Sequence, residues 1–306
     1  MSHTTSTALI AAGVNRDIRL GMQDPPTVDL SPLVQVVNSK TKSETYAWMG
    51  AAPPVYEYTG HQLVEPFYNF QLTIVDSEWR MAAIIHRDLL EDDQTGEAKN
   101  AGAKMLEAWK SKDRVQLAAL LTGGGSNLAF DGISFFNDAH SFGSSGTIDN
   151  DMTYDMAGAV PTSAEVLAAL GDAYGRLSIF KDDQGEIANG TAIEKFTVVC
   201  PASLYAKFVE ATQAAIIANT SNVFGQRFAG VIPLPDLDAT STLTFYVIAS
   251  GATAKPFIHT MRVKQQYIAW TEDKDIDQNE GLKIVIRERS KFSNGDFTKI
   301  VRVLFN

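Results

Sequence analysis

Cysteine is nearly absent from this 306-residue sequence, in which Cys200 is the only thiol. A single cysteine excludes a disulfide within the chain and a zinc site built on cysteines. Cys200 lies in the apolar run FTVVC, where we predict a buried, unreactive thiol. This usage fits a chain that folds in a reducing cytoplasm.

Long apolar runs and clustered positive charge are also missing. No stretch offers ~18 uninterrupted apolar residues, and the N-terminus MSHTTSTALIAAGV has no basic region, so we expect neither a membrane span nor a signal peptide. The formal net charge is -10. Residues 1–260 carry 17 Lys and Arg against 29 Asp and Glu, which does not favour tight binding of nucleic acid.

The sequence contains none of the common catalytic motifs. We find no phosphate-binding loop, no dinucleotide-binding glycine fingerprint, no HExxH and no GxSxG. GGGSN at 123–127 follows a predicted helix, so its glycines are expected to end that helix and not to hold phosphate. The sequence therefore predicts no catalytic residue, no metal and no cofactor.

One segment still allows an enzymatic reading. Asp131, Asp138 and His140 lie within ten residues and could bind a divalent cation or perform acid–base chemistry. The alternative is structural, with the aspartates stabilising turns and His140 packed beside the adjacent phenylalanines. We favour the structural reading.

Three helices are predicted from apolar periodicity and capping residues. The longest runs from Asp93 to Leu121, about 43 Å if it is continuous, although Gly102 and the KSKD segment could kink it and leave a broken helix as the alternative. A second helix is capped by Thr162 or Ser163, and a third begins at Pro201.

Strand-like segments precede and follow these helices. LVEPFYNFQLTIV at 63–75 alternates loosely, and FTVVC reads as a short strand. Near the C-terminus, LKIVIRER and FTKIVRVLF flank SNGD, which predicts a hairpin that turns at Asn294-Gly295. This hairpin is expected to pair with residues 70–85, so that the chain leaves and re-enters one domain.

Aromatic residues are concentrated between Glu44 and Phe70, where seven of 27 residues are aromatic, about 26% against 9% for the chain. They are Tyr46, Trp48, Tyr56, Tyr58, Phe67, Tyr68 and Phe70. An isolated two-stranded loop cannot bury so many rings by itself. The residues alone leave two alternatives open, a neighbouring subunit or the core of the same chain.

Several phrases together carry a family resemblance. They are VVNSKTKSETYAWMG (36–50), RDLLEDDQTG (87–96), DGISFFNDAH (131–140), FTVVCPASLYAKF (196–208) and AKPFI (254–258). In this order they resemble the major head subunit of Mu-like tailed phages and prophages. The chain departs from the family pattern at Asn137, where an acidic residue is expected, and at Ser141, where proline is expected.

The resemblance implies an α+β fold of the Hong Kong ninety-seven capsid type. Residues 1–40 would form an N-terminal arm, and 41–69 an extended loop made of a β-hairpin. Residues 70–160 and 276–306 would form a peripheral domain that contains the spine helix 93–121. Residues 161–275 would form an axial domain.

The resemblance also implies a structural, non-enzymatic function. The chain would be a major capsid protein that self-assembles into hexamers and pentamers of an icosahedral shell around double-stranded DNA, without sequence-specific binding. A separate scaffolding protein, a portal and a decoration protein are the expected partners, in a virion assembled in the bacterial cytoplasm. The interface residues of the extended loop would be Tyr46, Trp48, Tyr56, Tyr58, Phe67 and Tyr68.

Two alternatives to this function remain. The first is a nanocompartment shell of the same fold that encloses protein cargo. The more distant one is a metal-dependent hydrolase that uses Asp131, Asp138 and His140.

Overall fold

The computed structural model describes residues 3–22, 29–51, 55, 57, 60, 69–91, 97–190, 195–213, 216–217, 220–221, 228–252, 254–270 and 280–306. Its helices are α1 (His3–Gly21), α2 (Arg87–Glu91), α3 (Glu97–Thr122), α4 (Ser163–Ile179), α5 (Tyr205–Gln213) and α6 (Pro235–Asp238). Its strands are β1 (Val34–Asn38), β2 (Ser43–Met49), β3 (Asn69–Val75), β4 (Ser77–His86), β5 (Asp151–Tyr154), β6 (Phe196–Cys200), β7 (Ile216–Ile217), β8 (Thr220–Ser221), β9 (Phe228–Pro233), β10 (Thr244–Ala249), β11 (Phe257–Trp270), β12 (Gly281–Asn294) and β13 (Ile300–Phe305).

The long sheet has the strand order β1-β11-β12-β4. Its two 14-residue strands, β11 and β12, are antiparallel, and β12 alternates buried and more exposed residues as a sheet with one covered face requires. The covered face packs against α1 and α2. This contact forms a first hydrophobic cluster of Ala11, Val14, Ile18, Ile85, Leu90, Leu282 and Ile284.

The five-stranded sheet has the order β5-β13-β10-β6-β9. Every residue of β6 is buried, because this strand is covered on both faces. Apolar residues of α4 and α5 pack against the sheet in a second, larger cluster, together with Leu117, Ala118 and Leu121 of α3. Cys200 of β6 is buried, and burial raises the pKa of its thiol to about 12, which confirms the prediction of an unreactive cysteine.

The predicted C-terminal hairpin is wrong, although the expected pairing of its first strand with residues 70–85 is confirmed by the ladder between β12 and β4. Strand β12 pairs with β11 and β4, whereas β13 pairs with β10 and β5 in the other sheet. The chain does turn at Asn294-Gly295, but the turn leads from one sheet into the other. The amide of Gly295 donates to the carbonyl of Pro256 (2.8 Å), and a 3-10 turn at Phe297–Lys299 follows. Both strands carry enough apolar surface to be central in a sheet, so neither needs the other as a partner.

The two sheets also divide the chain differently from the predicted ranges. Strand β11 falls in the range 161–275 but pairs with β12 of the range 276–306. Strand β13 of that last range pairs with β10. Each sheet is therefore built from segments that are distant in sequence.

Helix α3 is continuous over 26 residues, about 39 Å, so the alternative of a broken helix is wrong. It ends at the 3-10 turn Gly123–Gly125, as the glycine run predicts. The predicted start at Asp93 lies outside the described residues. Helix α4 begins as predicted, because Thr162 and Glu165 form a reciprocal capping box.

Gly102 has a packing role in α3. A Cβ added at Gly102 would lie 3.1 Å from side-chain atoms of both Val14 and Ile18, so the missing side chain lets α1 approach α3 closely. Helix α1 occupies about half of the predicted N-terminal arm. Among the described residues, none of the helices combines the length and apolar character that crossing a bilayer would require.

We expect Gly102→Val to destabilise the subunit by about 1–3 kcal/mol, because the larger side chain overpacks the contact between α1 and α3. Chemical denaturation followed by circular dichroism measures this loss. Gly13→Val is the matched control, since a Cβ at Gly13 of α1 would have no atom within 4 Å, and it should change stability by less than about 0.5 kcal/mol. Equal effects of the two variants would contradict the assigned role of Gly102.

Candidate subunit interface

A two-stranded ribbon formed by β2 and β3 corresponds to the predicted extended loop. The strands are antiparallel, with Ser43 opposite Val75 and Met49 opposite Asn69. The hydroxyls of Thr45 and Thr73 lie 3.1 Å apart across the ribbon. The ribbon extends six residues beyond the predicted end at 69, since β3 continues to Val75.

The root of the ribbon is fixed to β11 on both sides. Before β2, the amide of Ser39 donates to the carbonyl of Met261 (2.9 Å). After β3, the hydroxyl of Thr260 donates to Oδ1 of Asp76 (3.1 Å), and the amide of Asp76 donates to the carbonyl of Lys42 (3.1 Å). The ribbon therefore leaves the long sheet in a defined direction.

A second attachment lies just beyond the end of β2. The amide of Ala51 donates to Oδ1 of the buried Asp183 at 2.7 Å. Gly50 is required there, because an added Cβ would lie 2.0 Å from Oδ2 of the same carboxylate. The carbonyl of Asp183 in turn accepts from the amide of Ser144 (2.7 Å), which ties this turn to the loop after α3.

Apolar surface remains uncovered on the described part of the ribbon and its connection. Val55 is 100% exposed and Val75 is also exposed, whereas Leu72 is only half-buried. Exposed apolar surface of this kind on a projecting ribbon is typical of a protein–protein contact. The ribbon can thus contribute apolar area to a neighbouring molecule while its root stays fixed.

The predicted interface residues are placed only in part. The register puts Tyr46 opposite Leu72 and Trp48 opposite Phe70. The side chains of Tyr46 and Trp48 lie outside the described part of the chain. The other four predicted residues lie outside it altogether: Tyr56, Tyr58, Phe67 and Tyr68. Their role at an interface stays a prediction.

The structure brings together two of the three residues in the enzymatic alternative. Nδ1 of His140 lies 2.6 Å from Oδ2 of Asp131, and Nε2 lies 3.3 Å from the carbonyl oxygen of Phe135. The His140 ring stacks on Phe297 at 3.9 Å and is 0% exposed, whereas Asp138 is on the surface. With both ring nitrogens engaged and no access for substrate, the pair is suited to packing and not to hydrolysis.

Asn150 and Asp183 are structural residues that sequence reasoning missed. Buried Asn150 donates to the carbonyls of Phe135 (2.9 Å) and Phe297 (3.4 Å), and accepts from the amide of Asn137 (2.9 Å). The side chain of Asn137 accepts from the Ala139 amide (2.9 Å), so this departure from the family pattern retains an acceptor oxygen. No local signal identifies such partners, because they are distant in sequence.

We expect Asp131→Ala to destabilise the subunit by about 1–3 kcal/mol, because it leaves the buried ring of His140 without its partner. Thermal and urea unfolding measure this. The control is Asp138→Ala, an exposed aspartate of the same loop, which should stay within about 0.5 kcal/mol of the parent. A larger loss for Asp138 than for Asp131 would contradict the structural role of the pair.

We expect Asp183→Ala to accelerate proteolysis within residues 50–68 at least about tenfold, because a hydrogen bond to a charged acceptor contributes about 1.5–3 kcal/mol. Limited digestion of the unassembled subunit, followed by mass spectrometry, locates and times the cuts. Asp172→Ala, at an exposed position of α4, is the control. Unchanged cleavage in Asp183→Ala would mean that the carboxylate does not hold the ribbon.

Comparison with protein families gives a match over half of the chain. The family model described as "Mu-like prophage major head subunit gpT" matches residues 8–165, which include most of α1, the ribbon and α3.

Two curated relatives carry related names. The Mu-like prophage FluMu major head subunit of Haemophilus influenzae is 28% identical over 131 residues, 43% of this chain and 42% of that protein. The major capsid protein of Escherichia phage Mu is 27% identical over 125 residues, 41% of each chain. The matched region thus spans about two-fifths of the length of these relatives.

Similar solved structures cover nearly the whole chain. The bacteriophage JBD30 procapsid has a TM-score of 0.53 at 16% identity, covering 96% of this chain and 74% of that one. The cyanophage P-SCSP1u capsid has a TM-score of 0.64 at 11% identity, with coverage of 92% and 89%. The virus-like particle of Pyrococcus furiosus has a TM-score of 0.52 at 14% identity, with coverage of 95% and 97%. At these identities the likeness concerns the fold alone, and it confirms the predicted α+β capsid fold of the Hong Kong ninety-seven type.

Proposed function

Because the chain belongs to the family of Mu-like prophage major head subunits, we propose that it is a major capsid protein of a tailed phage. It self-assembles into hexamers and pentamers of an icosahedral shell that encloses double-stranded DNA. The observation that carries the proposal is the family match over residues 8–165, which includes both the ribbon and the spine helix α3. The role is structural and not catalytic.

In this proposal the ribbon is the part of the subunit that reaches its neighbour. Its fixed root and its attachment at Asp183 limit its direction, and the exposed Val55 and Val75 give it apolar surface to bury. Aromatic side chains suit such a contact because they combine a large apolar area with a polar group. The proposed interface residues are Tyr46, Trp48, Tyr56, Tyr58, Phe67 and Tyr68.

The domain names follow from the same proposal. Helix α1 belongs to the N-terminal arm, and the ribbon is the extended loop. The long sheet and α3 form the peripheral domain, and the five-stranded sheet with α4 and α5 forms the axial domain. Strand pairing supports moving β11 to the peripheral domain and β13 to the axial domain.

The two other functions receive less support. A nanocompartment shell would share the fold, and the Pyrococcus furiosus particle illustrates that fold likeness extends beyond phage heads. The family match favours the phage head over this alternative. A hydrolase built on Asp131, Asp138 and His140 is disfavoured, because His140 is buried and Asp138 lies apart on the surface.

The partners belong to the proposal as well. A shell of this kind needs a portal and a separate scaffolding protein, with a decoration protein as a further partner, and it assembles in the bacterial cytoplasm to become part of the virion. The net charge of -10 suits a container in which packed DNA must slide, since a basic lining would hold it. Strong, salt-sensitive binding of DNA by the purified subunit would contradict this point.

Electron microscopy of the expressed protein tests the function directly. Capsomers, closed shells or tubes are expected, and a protein that stays monomeric at all concentrations, with or without a scaffold, would overturn the proposal. Nuclease-resistant DNA in particles recovered from phage-producing cells distinguishes a phage head from a nanocompartment, in which protein cargo is expected instead.

We expect the double variant Trp48→Ala/Tyr56→Ala to yield a soluble, folded subunit whose assembly into shells is impaired at least about tenfold, because it loses buried aromatic area at the neighbour. Sedimentation and microscopy measure assembly, and thermal unfolding measures the fold. The matched control is Ser43→Ala/Thr45→Ala, which changes exposed residues of the same ribbon. An unfolded aromatic variant would instead place these rings in the core of the monomer.

A further inference from the structure

A cluster of potential metal ligands lies where α3 crosses the long sheet. Asp113 of α3, His259 of β11 and Glu288 of β12 each contribute a ligand atom, and these atoms lie within 4.8 Å of one another. The three residues come from segments separated by up to 175 positions, so the fold and not a local motif assembles them. This cluster is separate from the ribbon and from the Asp131–His140 pair.

His259 is the most informative member of the cluster. Its residue is only 4% exposed, and its Nε2 makes no hydrogen bond to any described residue. The ring is held in place by stacking on Phe292, with centroids 4.0 Å apart. A buried nitrogen without a partner is costly, which indicates that a ligand for this ring is missing.

The charges of the cluster point to the same conclusion. The ammonium of Lys112 lies 2.7 Å from Oε1 of Glu288 and 3.3 Å from Oδ1 of Asp113, so one cation faces two carboxylates. Two carboxylates against one ammonium leave an excess of negative charge beside the unpartnered Nε2 of His259, which suits a bound cation.

We propose that Asp113, His259 and Glu288 bind a divalent transition-metal ion, with Zn²⁺ as the best fit, which joins the spine helix to the long sheet. One imidazole and two carboxylates suit Zn²⁺ better than Ca²⁺ or Mg²⁺, which prefer oxygen ligands alone. Ligand bonds of about 2.0–2.2 Å in a tetrahedral site place the ligand atoms about 3.3–3.6 Å apart, so ligand atoms that lie within 4.8 Å of one another move together by at most about 1.5 Å when the ion binds. A water molecule completes the four-coordinate site.

Access and competition at the site follow from its surroundings. The side chain of Asp113 is 40% exposed and provides a route from solvent. The ammonium of Lys112 competes with the metal ion for the carboxylates and moves away when the metal binds. The ring of Trp109 offers the ammonium another contact, since its centroid is 4.9 Å away. Removal of the Lys112 charge is therefore expected to strengthen metal binding.

Titration of the purified full-length chain with Zn²⁺ by isothermal calorimetry, and with Co²⁺ by visible absorption, tests the proposal. One ion per subunit is expected, with a rise in Tm of at least ~3 °C at saturating Zn²⁺. His259→Gln should weaken binding more than tenfold and abolish the rise in Tm. His86→Gln, at an exposed histidine that ends β4, is the matched control and should bind as the parent does.

Lys112→Met provides a test that does not require loss of a ligand. It should bind Zn²⁺ more tightly than the parent, by about tenfold, because the competing ammonium is gone. The proposal is overturned if Zn²⁺ binds neither to the parent nor to Lys112→Met. It is also overturned if folded His259→Gln binds Zn²⁺ as tightly as the parent does, or if His86→Gln no longer binds it. If His259→Gln does not fold, the Lys112→Met titration and the Co²⁺ spectrum of the parent decide.

Discussion

The rest of the subunit depends on the sharing of one rigid helix between two hydrophobic clusters. The N-terminal half of α3 packs against α1 beside the first cluster, and Leu117 and Leu121 near its C-terminal end belong to the second. The phenol of Tyr246 in β10 also donates to the carbonyl of Leu121 (3.3 Å), which joins the five-stranded sheet to the end of the helix. Helix α3 is unbroken over about 39 Å, so one element contributes to both clusters. The position of the ribbon depends on this arrangement, since its root lies on β11 and its second attachment lies on the turn after α4.

The parts of the fold that the sequence predicts are those governed by neighbouring residues. The capping box of Thr162 and Glu165 and the glycine run that ends α3 are local interactions, and the structure has both. The pairing of β12 and β13 is not local, because a turn at Asn294-Gly295 sets the direction of the chain but leaves the partner of each strand open. Gly102 shows the same limit. Its low helix propensity marks a position where the helix could break, whereas its close contact with α1 is visible only in the structure.

The candidate interface shows a similar division. Composition alone identifies the aromatic segment, and strand alternation predicts β3, whereas β2 is implied only by the family resemblance. The contacts that orient it are long-range, since Asp183 is 132 residues from Ala51 and Thr260 is 184 residues from Asp76. In the Asp131–His140 pair the residue types are visible in sequence, but the burial that decides between catalysis and packing is visible only in three dimensions.

The placement of β12 and β13 has a consequence for the order of events during synthesis. Each is an interior strand of its own sheet, so neither sheet is continuous until residues 281–305 have left the ribosome. Chains still being translated would lack β12, which lies between β11 and β4, and β13, which lies between β10 and β5, although the ribbon is made early. Both sheets, including the one that holds the root of the ribbon, are therefore completed only after the ribbon has been made.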